Sequence, residues 1–111
     1  MENKEIDRLI IDKVLELPYH ETEWFGYWVV LKEGQLSTLF SPSSNIQDAW
    51  IVLEKFKEKD FLYTVQNQVG GNYEVSLTDW GGMCSTFRGV NESLPLAICQ
   101  ASLKAKGIEI N

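Results

Sequence analysis

Ile6, Leu9, Ile10, Val14 and Leu17 recur at helical spacing, which predicts a first helix over residues 3–17 with Asn3 as its cap and Pro18 just past its end. A helix this short is marginal in water by itself, so its apolar stripe must face a core or a partner. The pattern then changes period. "WFGYWVVL" at 24–31 is dense in aromatic and β-branched side chains and predicts a strand, "KEGQ" a turn, and "LSTLF" at 36–40 an antiparallel return, with 19–23 as a polar connection. Helical spacing resumes over 44–59, where Ile46, Ala49, Trp50, Leu53 and Phe56 form one stripe and the Ala-Trp pair is expected in the core.

Strict alternation follows in 61–69, 73–79 and 83–89, separated by "GGN" and "WGG" turns, and predicts an antiparallel meander. One face carries Phe61, Tyr63, Val65, Tyr73, Val75, Leu77, Met83 and Phe87; the other carries Thr64, Gln66, Glu74, Ser76, Thr78, Thr86 and Arg88. A last helix over 93–106 has Pro95 in its first turn and Gly107 at its end. It bears two apolar stripes. Leu94, Ala97, Ile98, Ala101 and Ala105 suit close packing on a sheet, whereas Leu96, Cys99 and Leu103 call for helix one, helix two or a neighbouring chain as cover.

Composition narrows the class. With 111 residues, 44% of them hydrophobic, residues 1–111 are expected to make one domain with one core. The longest apolar run, "WVVL", is far shorter than the roughly 20 residues of a membrane span, and the N-terminal sequence lacks the pattern of a secretory signal, so a cytoplasmic protein without membrane contact is expected. Cys84, on a strand, and Cys99, in a helix, are then a reduced pair serving as small apolar side chains. Net charge is −6, and residues 1–23 hold seven acids against three bases. With its bases scattered, such a chain is ill suited to neutralising phosphates, which argues against nucleic-acid binding.

No catalytic constellation emerges. His20, the single histidine, sits in "PYHETE" with no second histidine or well-spaced cysteine to complete a metal site, and nothing local brings it to Cys84 as a base to a nucleophile. No cofactor, metal or enzyme activity is expected. The glycine pairs at 70–71 and 81–82 are hairpin turns and not phosphate loops, with Trp80 expected to fold over its turn and a stacking platform as the alternative. In "FSPSSNIQD", Ser44 with Gln47, or Asn45 with Asp48, can cap the second helix unaided, although the same N–H groups would suit an anion. Ser43, Ser44, Asn45, Trp80 and Arg88 are therefore the candidate ligand-binding residues. Trp24, Tyr27, Trp28, Leu96, Cys99 and Leu103 are the candidate interface residues of a homo-oligomer.

Three segments, "RLIIDKVLEL" at 8–17, "SPSSNIQDAWIVLEKF" at 41–56 and "LPLAICQASLKAKG" at 94–107, resemble the phage ABA sandwich domain family. The resemblance implies an α+β fold, an α/β/α sandwich with an antiparallel sheet, and a phage or prophage protein acting in its bacterial host. It implies no activity and no catalytic residues. The sequence departs from the family pattern in the aromatic hairpin at 24–40 and in "SSN" where an acidic residue often precedes the helix. A binding protein that partners itself, or a phage or host protein, is the expectation; a nucleotide-like small-ligand binder and a small enzyme are the alternatives.

Overall fold

The computed structural model describes residues 2–22, 26–30, 38–82 and 84–109. Helix α1, Asn3–Leu9, runs into a π-helical segment, Ile10–Leu15, and does not stay α-helical to residue 17. Ile10, Ile11, Val14 and Leu15 of this segment are all in the core. Glu16 closes the segment in the left-handed region (φ 54°), and the N–H of Leu17 donates to the carbonyl of Ile11 at 3.1 Å. Pro18 then bars any continuation.

The polar connection expected at 19–23 is instead strand β1, Tyr19–Thr22. It pairs antiparallel with β2, Gly26–Val29, which also pairs with β3, Thr38–Phe40. The aromatic strand has two edges to satisfy, and β1 takes the one that the predicted hairpin left open. Tyr19 and Tyr27 lock the pair edge to face at 5.3 Å. Trp24 and the predicted 32–35 turn lie outside the described residues.

Helix α2, Ile46–Glu58, buries three of the five residues of the predicted stripe but not Ile46 or Trp50. Ala49, Val52, Leu53 and Phe56 are buried, while Ile46 and Trp50 remain 42% and 40% exposed. Strands β4, Phe61–Asn67, β5, Tyr73–Asp79, and β6, Thr86–Asn91, form the meander in that order. Its alternation holds: Val75 and Leu77 are fully buried and Thr64, Gln66, Thr86 and Arg88 are exposed. The third strand begins later than predicted because Cys84 adopts φ 57°, which no extended strand accommodates. Met83 lies outside the described residues.

Helix α3, Leu94–Ala105, lies on the buried face of the meander and is capped by Ser93, with the Ile108 N–H returning to the Leu103 carbonyl past a left-handed Gly107. Its approach is set by Gly89, whose place for a Cβ is already taken by the Ala97 carbonyl oxygen and lies 2.8 Å from the Ala101 nitrogen. A glycine on the strand and alanines on the helix let the two backbones nearly touch. The second stripe is covered within the chain: α2 and the π-helical segment pack on α3, leaving Cys99 and Leu103 fully buried and Leu96 half-buried. Behind them α1 meets β2, and a single core runs through all the layers of this α+β sandwich.

Candidate functional site

The lead-in to α2 is tied down by carboxylates. The Ser41 N–H donates to Asp48 Oδ2 at 2.9 Å, the Ser43 N–H donates to Asp7 Oδ1 at 2.8 Å, and the N–H groups of Ser44 and Asn45 donate to the Ser41 carbonyl. Asn45, and not Ser44, is the cap, accepting from the Asp48 N–H at 3.1 Å. Pro42 has no N–H to give, so every backbone donor from 41 to 45 is committed within the chain. The Ser43 hydroxyl, also buried, donates to the Asn3 carbonyl at 3.3 Å. The segment joins α1 to α2.

Asp7, which anchors this segment, was not among the candidate residues. It is 5% exposed, and burial raises its carboxyl to a pKa of about 6 despite the opposing Ser43 bond, with the nearby Asp48 charge adding to the rise. Its position was legible all the same: three, four and seven residues before Ile10, Ile11 and Val14, it lies on their side of the helix. An acid there needs a donor, and Ser43 provides it.

The remaining ligand candidates do not join this segment. Arg88 lies on the outer face of the meander, opposite Ser76 in register, where its Nε meets Glu74 Oε1 at 3.2 Å while Gln68 Nε2 donates to the other Glu74 oxygen at 2.8 Å. Because α2 and α3 cover the other face, the guanidinium and the start of α2 are on opposite sides of the sheet. Trp80 follows β5 at the next turn; it is 66% exposed and not folded over that turn, and its N–H donates to the Asp60 carbonyl at 3.2 Å.

Among the interface candidates, Tyr27 points into the core with Cys99 and Leu103, so these three contact no second molecule in this conformation. Trp28, on the alternate face of β2, is 40% exposed. His20 is exposed on β1 opposite Trp28, and among the described residues no three histidine, cysteine or carboxylate side chains gather as metal ligands. Cys84 is exposed and Cys99 is buried, both as free thiols; burial pushes the Cys99 thiol well above its usual range.

The apolar surface that alternation did not predict is on α2. Ile46, Gln47 and Trp50 line an open, shallow depression of about 310 Å³ beside the meander. Trp50 leans edge to face on Tyr63 of β4, with ring centres 5.7 Å apart, and the Tyr63 hydroxyl donates to Glu54 at 3.3 Å. Ile46 and Trp50, two of the five α2 side chains expected in the core, thus stand at the border of α2 and the first meander strand.

The profile of the phage ABA sandwich domain matches residues 8–103. A phage protein from Bacillus cereus ATCC 14579, solved as a 2.0 Å crystal structure, superimposes with a TM-score of 0.72 at 26% identity, over 100% of this chain and 93% of that one. A search of curated proteins returns no match.

Proposed function

The chain belongs to the phage ABA sandwich domain family, and from that premise we propose that it is a phage accessory protein that works by binding and self-assembly and not by catalysis. The observation that carries this reading is the apolar surface of α2, where Ile46, Trp50 and Ile51 stay more than a third exposed on a helix whose other face is core. Scattered single apolar side chains need no explanation, but large ones grouped on one element favour a partner. The partner is a further copy of the chain, or a phage or bacterial protein met in the host cytoplasm. The acidic charge of −6 disfavours nucleic acid in that role.

Light scattering on the purified protein tests the assembly. A mass of two or more chains at micromolar concentration is expected; a clean monomer overturns it. Thermal-shift screening with nucleotides addresses the small-ligand alternative. With the donors of 41–45 committed internally and Arg88 on the far side of the sheet, no shift is expected across the panel. A reproducible stabilisation by any nucleotide would reverse the choice between the two readings.

A further inference from the structure

One edge of the meander has no strand paired to it among the described residues. In the β4–β5 ladder, the bonds from Gln68 N–H to the Asn72 carbonyl (2.8 Å) and from Trp80 N–H to the Asp60 carbonyl (3.2 Å) mark hydrogen-bonded pairs at both ends. Antiparallel pairing alternates, so between them Leu62, Thr64 and Gln66 direct their N–H and C=O groups to Thr78, Ser76 and Glu74. Phe61, Tyr63, Val65 and Asn67 therefore direct theirs the other way. Among the described residues no strand lies beyond β4 and no hydrogen bond reaches these outward groups.

Natural sheets blunt such edges with charge, proline, a bulge or brevity. β4 has none of these devices: "FLYTVQNQV" at 61–69 contains no charged residue, proline or glycine, and its register with β5 is unbroken over seven residues. The other meander edge, β6, carries Arg88, and the edges of the second sheet, β1 and β3, are four and three residues long.

We propose that β4 pairs antiparallel with β4 of a second copy about a two-fold axis at Thr64, joining two three-stranded sheets into one of six strands. The inference rests on the assembly reading above and names its seam. The edge is its own complement. About that axis Phe61 faces the partner's Asn67 and Tyr63 faces the partner's Val65, so every outward N–H and C=O of both copies is satisfied. Each chain carries a charge of −6, yet no charge lies between 61 and 69, so the ladder joins like-charged molecules where neither bears charge. A ladder alone falls short of the roughly 1,000 Å² of a stable interface. The depression lined by Ile46 and Trp50, beside Tyr63 on the same edge, supplies apolar surface that a second copy covers as the two α2 helices come alongside.

Thr64 makes the test selective, because it is exposed, on the outer face, and opposite itself across the axis. Thr64→Lys sets two ammonium groups against each other and leaves the core untouched. In the proposed seam 64 is a non-hydrogen-bonded pair with Cα atoms about 4.5 Å apart, within disulfide reach, so Thr64→Cys in a Cys84→Ser background is expected to cross-link on mild oxidation. Light scattering is expected to give a wild-type dimer, a Thr64→Lys monomer with unchanged circular dichroism, and a dimer for the control Thr86→Lys on the opposite edge. The amides of Tyr63, Val65 and Asn67, which have no partner among the described residues, are expected to exchange slowly in the dimer. A wild-type dimer that persists in Thr64→Lys, with no Thr64→Cys cross-link, leaves assembly standing and overturns the β4 seam; a wild-type monomer overturns both.

Discussion

A carboxyl group that leaves water for the donors of one neighbouring residue gives up part of its charge in exchange for a fixed position, and Asp7 does so at Ser43. Its folded pKa of about 6 stands above the ordinary 3.8, so the folded protein holds the proton more tightly than the unfolded chain. The stability from this group is therefore full below the ordinary value and is lost as pH rises through about 6. Asp7→Asn keeps an acceptor for Ser43 and removes the titration. Its melting temperature relative to wild type is expected to rise by a few degrees between about pH 4 and about pH 7, and a difference that stays flat with pH would show Asp7 titrating normally. The cysteines make a second residue-scale prediction. A thiol reagent is expected to modify Cys84 alone in the native protein and Cys99 only after denaturation, as mass spectrometry of the labelled peptides would show.

At the scale of elements, the contact of β6 with α3 depends on one missing side chain. A methyl group at Gly89 would overlap the Ala97 carbonyl, backbone that cannot swing aside, so the helix would have to move. Gly89→Ala is expected to destabilise the fold by about 3 kcal/mol in urea denaturation, at the upper end for an overpacked site. Asn45→Ala, which removes the cap of α2, is expected to cost about 1 kcal/mol by the same measurement. The elements themselves were mostly legible in the sequence. Period and punctuation located all three helices, the meander and the Pro95 and Gly107 ends of α3. What escaped depends on geometry that period alone does not carry. The π-helical turn departs from the 3.6-residue rule by which a helical stripe is recognised. β1 has a polar sequence and exists because β2 offers it an edge. Trp50 fits the predicted stripe, but Val52 occupies the core place and the indole is left at the rim.

For the whole molecule, three lines of argument converge on family and fold: the segments at 8–17, 41–56 and 94–107, the match over 8–103, and the superposition on the Bacillus cereus phage protein. The candidate site was less legible than the fold. Three of the six predicted interface residues, Tyr27, Cys99 and Leu103, proved to be core, since helical spacing does not say which neighbour covers a second stripe; for Cys99 and Leu103 the cover came from α2 and the π-helical segment. Charge also acts at this scale. Two bodies of charge −6 repel at long range, so the proposed dimer is expected to tighten as salt rises from about 0.05 M to about 0.5 M, the reverse of a seam built on ion pairs. Sedimentation at the two ionic strengths measures it, and weakening with salt would argue for a charged interface.

The bare run from Phe61 to Val69 also matters before the protein is folded. Nine residues rich in β-formers, with no charge or proline inside the run and charge only in the flanking residues 57–60, are the kind of segment through which partly folded chains aggregate, and this one cannot be shielded by a second copy until the meander has formed. During synthesis the same edge is then a hazard that folding must outrun. Thr64→Lys, whatever it does to the finished assembly, is expected to raise the soluble fraction recovered at high expression.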